Sequence, residues 1–177
     1  RSKKRPYFIC KMLSARPLPS KRKHIFLFCL VLILTGGFLP PEVAQALCIK
    51  DKKANLREGP GTQHEKLWEV HKYMPFKKIG KKGDWLRVQD LDGDKYWVYR
   101  KLTTTKYKCA VIKDWANLRE GPGTNFPKVP WSPTGKPPFR MPKYFPMKVL
   151  KIKGSWVRVE AGDGDRAWIY RPLVWIQ

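Results

Sequence analysis

A length of 177 residues fits one or two domains and excludes a larger assembly of domains within this chain. The composition is strongly basic, with 37 lysine and arginine residues against 14 acidic residues and a formal net charge of +23. Nine of those bases and one of those acids precede Leu47, which leaves 28 bases, 13 acids and a net charge of +15 for the remainder. A charge of this size excludes a mainly anionic surface and favours polyanionic partners.

The first 46 residues have the order of a secretory signal. Residues 21–23 are three consecutive bases, residues 25–34 form an apolar run, and residues 44–46 read Ala-Gln-Ala, a small-x-small cleavage site. The apolar run is short for a membrane-spanning helix, which needs about 20 residues. We expect cleavage directly after the site and an exported, periplasmic or envelope-associated protein. An uncleaved anchor and a lipid anchor at Cys48 are the alternatives, and Met12 is an alternative start of translation.

An internal duplication organises the rest of the chain. Residues 54–62 and 116–124 both read ANLREGPGT, and residues 75–102 align without gaps to 146–173 with 14 of 28 positions identical. The two offsets are 62 and 71, so the second copy carries a nine-residue insertion in the proline-rich segment 125–145. The chain therefore contains two copies of one small module.

Apolar residues alternate within each copy, which indicates strands. Leu86 and Val88 fall on one face of a predicted strand, with Trp85 and Arg87 on the other, and residues 156–160 repeat the pattern. Asp-Gly turns and a return strand come next in both copies. We therefore predict an all-β fold with short strands and turn signals every eight to twelve residues.

The predicted domains are an N-terminal extension and signal peptide at 1–46, a first module at 47–104, and a second module at 105–177 with the proline-rich insertion. Residues 103–106 read Thr-Thr-Thr-Lys, a short polar linker. A linker of this length predicts that the two modules lie against each other.

The motifs of both copies resemble the bacterial SH3 domain family. The shared features are N-L-R followed by x-G-P-G-T, then G-x-W-[LV]-R-V, a D-G turn and W-[VI]-Y before a closing leucine. The resemblance covers approximately residues 48–102 and 109–173. It implies two small SH3-like β-barrels in tandem and a binding or targeting role at the bacterial cell wall, usually without catalysis.

The resemblance directs attention to aromatic residues that line a ligand groove. Tyrosine and tryptophan offer flat apolar faces with a polar group, which suit a peptide or a sugar. For the two tryptophans the alternative is that they cover a barrel end or the contact between modules. The candidates for the groove are Trp85, Tyr73, Tyr99, Trp156, Tyr144 and Tyr170.

Four arginines are candidates for binding anions because a guanidinium group forms paired hydrogen bonds with carboxylates and phosphates. They are Arg57, Arg119, Arg87 and Arg158. The first two end a strand beside the glycine turn, so the alternative is that each holds its own turn by bonds to carbonyl groups.

Two cysteines come after the predicted cleavage site, and an even pair in an exported protein predicts a disulfide. In SH3-like barrels the ends of the module are close, so we expect Cys48 and Cys109 to join across the mouth of the first barrel. The alternative is two unpaired, buried thiols at corresponding strand starts.

Neither copy contains a nucleophile with a base and an orienting group, so we expect no enzyme. Asp92-Gly-Asp94 and its copy lack the remaining ligands of a calcium loop, so we expect turn residues and neither a metal nor a cofactor. The predicted function is an exported binding protein that recognises peptidoglycan or an anionic envelope polymer. The alternatives are an adaptor for an envelope protein or peptide and, disfavoured by export, a nucleic-acid binder. After signal cleavage no stable membrane span is expected.

Overall fold

The computed structural model describes residues 45–177 except Pro133 and Pro138. The predicted signal therefore lies outside the described residues, apart from Gln45 and Ala46, which begin the first strand. The strands are β1 Gln45–Ile49, β2 Lys53–Arg57, β3 Lys66–His71, β4 Pro75–Lys82, β5 Trp85–Gln89, β6 Lys95–Tyr99, β7 Thr103–Thr104, β8 Cys109–Ile112, β9 Pro146–Lys153, β10 Trp156–Glu160, β11 Arg166–Tyr170 and β12 Val174–Ile176. Helical structure in the described part is confined to two 3-10 turns, Arg100–Leu102 and Arg171–Leu173.

The strands form two antiparallel sheets, one for each copy of the module. The first sheet has the order β3-β2-β6-β5-β4-β1-β7 and the second has the order β11-β10-β9-β8-β12. We call them the first and the second barrel. The prediction of an all-β chain with two small SH3-like domains is confirmed.

Each barrel has its own apolar core, built by the predicted alternation. In the first barrel Leu86 and Val88 of β5 point into a cluster that includes Leu56 and Phe76. In the second barrel Val157 and Val159 of β10 occupy the same places. The residues between them on each strand face outward, because successive side chains of a strand point to opposite faces.

The identical nonapeptide has different strand pairing in the two barrels. In the first barrel its start lies in β2, which pairs with β3 over Lys53–Arg57. In the second barrel the same residues make only isolated bridges, Ala116 to Met141 and Arg119 to Lys128 and Trp168. The reason is the partner strand, since residues 125–145 are rich in proline, which has no N–H to donate to a ladder.

The predicted linker is in part a strand. Thr103 and Thr104 form β7, which pairs with Ile49 and Cys48 at the end of β1. The connection between the barrels is therefore formed by residues 105–108 and begins two residues later than the predicted linker at 103–106.

Two tyrosines at equivalent positions make the contact between the barrels. Tyr73 donates a hydrogen bond of 3.2 Å to the Glu160 carboxylate on the second barrel. The Tyr144 hydroxyl lies 2.7 Å from the Asp92 carboxylate and 3.2 Å from that of Asp90 on the first barrel. Lys143 adds an ion pair with Asp92 at 2.7 Å. These reciprocal contacts agree with the expectation that the two modules lie against each other.

Both tyrosines have an unusual backbone conformation. Their φ angles are 71° for Tyr73 and 66° for Tyr144, a region that non-glycine residues rarely occupy. Each is the third residue of a turn, and its N–H bonds back to the first strand of its own barrel, at Ile49 and Ile112. A bulky residue in this conformation costs about 1–3 kcal/mol, which the contact with the other barrel offsets.

The predicted pair Cys48–Cys109 forms the disulfide, but the bridge joins the two barrels and does not cross the mouth of the first barrel as expected. Cys48 lies in β1, whereas Cys109 is the first residue of β8 in the second sheet. Their Cα atoms are 5.9 Å apart and both residues are fully buried, packed with Tyr73 and Tyr107. The cysteines are not at corresponding positions, since Cys48 pairs with Pro75 while Val111 pairs with the equivalent Pro146.

We predict that a peptide map of the unreduced protein contains one linked species joining the Cys48 and Cys109 peptides. The bridge closes 61 residues, which on the chain-entropy model stabilises the fold by about 4 kcal/mol. Urea unfolding with and without reductant measures this loss. In a Cys48→Ser/Cys109→Ser variant the reductant should change nothing. Two alkylated, unlinked cysteine peptides from the unreduced protein would contradict the bridge.

We also predict that the Asp92 contact weakens in acid. The hydrogen bond from Lys143 lowers the pKa of the Asp92 carboxyl below its usual value of 3.8. A lowered pKa in the folded state stabilises the fold above the unfolded pKa, and this contribution is lost as the pH falls through the folded pKa. Thermal unfolding of an Asp92→Asn variant should therefore lose less stability below about pH 4 than the parent does.

The matched control is Asp163→Asn, which removes the equivalent carboxylate of the second barrel. Its loss of thermal stability in acid should match that of the parent. Among the described residues, Asp163 accepts a hydrogen bond only within its own turn, from the N–H of Asp165. An equal loss of thermal stability in acid for the parent and both variants would contradict a role for Asp92 in the contact between the barrels.

Candidate functional site

Each barrel presents one tryptophan–tyrosine pair on its outer face. Trp85 of β5 lies directly opposite Tyr99 of β6, and Trp156 of β10 lies opposite Tyr170 of β11. The ring centroids are 5.6 Å apart in the first pair and 5.7 Å in the second, with tilted planes. The duplication has thus preserved an aromatic pair that lies outside the two core clusters, with Tyr170 exposed and the other three rings half-buried.

The nonapeptide forms the opposite wall of a groove in the second barrel. This groove has a volume of about 560 Å³. Its lining combines the aromatic pair with amide, hydroxyl and guanidinium groups: Asn117, Arg119, Gly123, Thr124, Asn125, Trp156, Tyr170 and Leu173. The first barrel carries the same residue at each of these places except one, since Gln63 stands where the second barrel has Asn125.

Arg57 and Arg119 hold the loops that shape these grooves. The Arg57 guanidinium donates a hydrogen bond of 2.7 Å to the carbonyl of His64, and Arg119 donates one of 2.6 Å to the carbonyl of Phe126. These are the bonds of the alternative interpretation, an arginine that fixes its own turn. Arg119 also lines the groove, so one side chain both fixes the loop and faces the open space.

The glycines of the Gly-Pro-Gly turn are required by close packing. A Cβ atom at Gly121 would collide with the Phe126 ring, and one at Gly59 would collide with the His64 ring. His64 and Phe126 thus occupy equivalent positions over the two turns. The spacing of 62 between them, the same as between the two nonapeptides, is the sequence signal of this equivalence.

The four candidate arginines form two cross-strand rows, one on each barrel, and each row contains two arginines with a tryptophan between them. Arg57 is opposite Trp97, which is opposite Arg87, and the second barrel repeats the row with Arg119, Trp168 and Arg158. Arg87 and Arg158 are exposed, whereas Arg57 and Arg119 are half-buried. The outer arginine of each row is therefore the one whose guanidinium is open to an anion.

Tyr73 and Tyr144 do not belong to the grooves, contrary to the expectation. Tyr73 is only 5% exposed, so its ring is not accessible to a ligand. Both hydroxyls are engaged by carboxylates of the other barrel, and burial together with the bond to Asp92 raises the pKa of Tyr144. Their left-handed backbone conformation, which sequence alone does not reveal, points them at the neighbouring barrel.

The acidic turns have a structural role in the described part of the chain. Asp90 accepts the backbone N–H groups of Asp92 and Asp94, each at 3.0 Å. Within residues 45–177, less the two omitted prolines, no group of three or more His, Cys, Asp or Glu residues is placed to hold a metal ion. Nor does any helix in that range have the length and apolarity to cross a bilayer.

Comparison with known proteins identifies relatives among cell-wall enzymes. A Bacillus subtilis protein named as an N-acetylmuramoyl-L-alanine amidase, YrvJ, is 26% identical over 129 residues, which cover 64% of this chain and 25% of that protein. A Staphylococcus aureus protein named as a cell wall amidase, LytH, is 34% identical over 91 residues, covering 49% of this chain and 31% of that protein. The matches thus span about a quarter to a third of these relatives.

Solved structures show weaker likeness. An NlpC/P60 family protein from Bacillus cereus matches 75% of this chain and 56% of its own, at 15% identity and a TM-score of 0.32. NlpC1 from Trichomonas vaginalis matches 74% of this chain and 45% of its own, at 9% identity and the same TM-score.

These relatives overturn the expectation that the chain is not an enzyme, because both curated proteins are named as amidases. The expectation rested on a search for catalytic groups within the two modules, and the modules correspond to a minor part of each relative. The relationship to the cell wall agrees with the resemblance in the motifs.

The family itself is established by a direct match. The model of the bacterial SH3 domain matches residues 50–104 and residues 140–175, one segment in each barrel. The gap between the two segments, residues 105–139, includes most of the proline-rich segment 125–145 of the second barrel. The chain belongs to the bacterial SH3 domain family.

Proposed function

We propose that this chain takes part in amidase-type remodelling of the bacterial cell wall and that its two barrels bind peptidoglycan through their outer grooves. In this proposal the barrels are residues 47–104 and 105–177, and the preceding signal exports the chain to the envelope, where peptidoglycan lies. The single observation that carries the proposal is the groove of the second barrel, in which the nonapeptide faces the Trp156–Tyr170 pair. The first barrel has the identical nonapeptide and the equivalent pair Trp85–Tyr99, so we propose the same groove there.

The chemistry of the groove suits a glycan or a short peptide. The faces of Trp156 and Tyr170 offer an apolar platform, and tyrosine and tryptophan are suited to surfaces that are part apolar and part wet. Asn117, Thr124 and Asn125 provide hydrogen-bond donors and acceptors beside it. Peptidoglycan combines sugar rings, amides and hydroxyls, and therefore presents partners for both kinds of group.

Charge adds attraction without selecting the ligand. The chain from Leu47 onward carries a net charge of +15, which concentrates it near anionic envelope polymers. Arg87 and Arg158 are exposed and lie on β5 and β10, two residues along from Trp85 and Trp156. Attraction of this kind weakens with salt, whereas aromatic contacts in the groove do not.

We predict that Trp85→Ala or Trp156→Ala weakens binding to purified peptidoglycan sacculi by about ten- to a hundredfold. The loss exceeds a factor of two because a second linked contact benefits from a high effective concentration. Co-sedimentation over a protein concentration series measures it, and the double variant should bind more weakly than either single variant. The unfolding midpoint of each variant, measured in parallel, separates loss of the groove from loss of the fold.

Trp115→Ala is the matched control because Trp115 is 48% exposed and lies outside the groove lining. It should bind sacculi like the parent at both low and high salt. DNA-cellulose serves as the polyanion control, and binding to it should vanish as salt rises. Sacculus binding that disappears at the same salt concentration, or that survives the double tryptophan variant, would refute groove recognition.

A further inference from the structure

The first barrel contains a second concave site, separate from the groove. It has a volume of about 390 Å³ and lies between β2, β3 and the turn that joins β5 to β6. Its floor is apolar, since Leu56, Val70 and Phe76 are buried core residues and Met74 packs against them. The complete lining is Leu56, Trp68, Glu69, Val70, Met74, Phe76, Asp90, Asp92, Asp94, Tyr96 and Tyr144.

Aromatic side chains form the walls of this pocket. Trp68 of β3 is 62% exposed, the highest value among the large apolar side chains of the described residues that are more than a third exposed. Tyr96 belongs to the same barrel, and Tyr144 reaches in from the second barrel. The second barrel has no strand corresponding to β3 in its described residues, so this wall is a feature of the first barrel alone.

The rim of the pocket is acidic in an otherwise basic protein. Four of the chain's 14 acidic residues line it: Glu69, Asp90, Asp92 and Asp94. Burial, and after it the charges of Asp90 and Asp94, raise the pKa of Tyr96 on the pocket wall. A cation is attracted here although the chain as a whole repels cations.

Lysine ammonium groups already occupy part of this rim. Glu69 is paired with Lys53 at 2.6 Å and with Lys66 at 3.1 Å. Asp92 is paired with Lys143 of the second barrel. The carboxylate of Asp94, by contrast, has no hydrogen bond or ion pair to another side chain among the residues that the structure describes.

We propose that this pocket binds a lysine side chain presented by a peptide partner. The aliphatic stem lies on the apolar floor and against Trp68, and the ammonium group pairs with Asp94. A lysine side chain combines a long apolar stem with a charged end, and the pocket combines an apolar floor with a carboxylate rim. This inference goes beyond wall binding and does not depend on it.

Neutral and acidic side chains fit less well. A neutral alkyl side chain fills the floor and leaves Asp94 unpaired, and a carboxylate is repelled by all four acids. Trp68 can also attract the cation through its ring face, which favours an ammonium group over a neutral amide.

The test uses two peptides that differ in one group. The full chain, labelled with ¹⁵N, is titrated with acetyl-Leu-Lys-Leu-amide and with the same peptide carrying norleucine, which has the lysine stem without the nitrogen. We expect the Trp68 indole N–H signal to shift with the lysine peptide and about tenfold weaker binding of the norleucine peptide, because a hydrogen bond to a charged group is lost.

Two matched variants locate the cation. Asp94→Asn should weaken binding of the lysine peptide by about tenfold, whereas Asp165→Asn, the equivalent change in the second barrel, should leave it unchanged. Both carboxylates lie in exposed hairpin turns, and the amide spectrum of each variant reports whether its fold is kept. Equal losses in the two variants, equal binding of the two peptides, or shifts that spare Trp68 would overturn the proposal.

Discussion

The bond between Cys48 and Cys109 is the constraint on which the rest of this structure depends. It is buried at the junction of the two sheets, and Tyr73 and Tyr107 pack around it. Modules of about 55–65 residues are near the lower limit for a self-sufficient core, so a covalent link and a shared surface matter to both barrels. Around this bond each barrel extends one tyrosine to carboxylates at the β-hairpin of the other.

This arrangement explains why both tyrosines are held in a strained conformation. A left-handed φ angle at Tyr73 and Tyr144 directs each side chain out of its own turn and across the junction. The duplication preserved the turn, while the partner residues diverged to Glu160 on one side and Asp90 with Asp92 on the other. Equivalent tyrosines therefore make the contact from both sides, but the carboxylates that they bond are not equivalent.

Much of the fold could be predicted from the sequence because the duplication presents the same strand and turn patterns in two copies. Alternation at Trp85–Gln89 and Trp156–Glu160 indicated which side chains are core and which are outward, and both strands have those bounds. The aromatic platform of each groove is a consequence of that alternation. For Arg57 and Arg119 the sequence left two roles open, and the structure shows the bonds to the carbonyls of their own loops.

The rest depends on tertiary context that local sequence does not contain. The identical nonapeptide is a strand in one barrel and a bridged loop in the other, because only one copy has a partner strand with N–H groups to share. The disulfide was expected across the mouth of the first barrel because the ends of an SH3-like module are close, whereas Cys109 opens the second sheet and the bridge joins the two barrels. Tyr73 and Tyr144 were wrongly assigned to the groove. Their positive φ angles, which direct the side chains to the other barrel, cannot be predicted from the residue type.

The two concave sites have different chemistry, which reflects divergence after duplication. The outer groove is built from residues that both copies retain, and its neutral polar groups and aromatic faces suit a repeated polymer. The acidic pocket is built from β3, which has no counterpart in the described part of the second sheet, and from a turn containing Asp90, where the second copy has Ala161. The pocket gives the first barrel a separate surface for a basic partner.

The disulfide and the tyrosine contacts hold the two barrels in a single arrangement. Residual dipolar couplings of backbone amides in both barrels of the oxidised protein test this arrangement. We expect both sets of couplings to fit one alignment tensor, with the relative orientation given by the structure. Two different tensors for the oxidised protein would show instead that the barrels move independently.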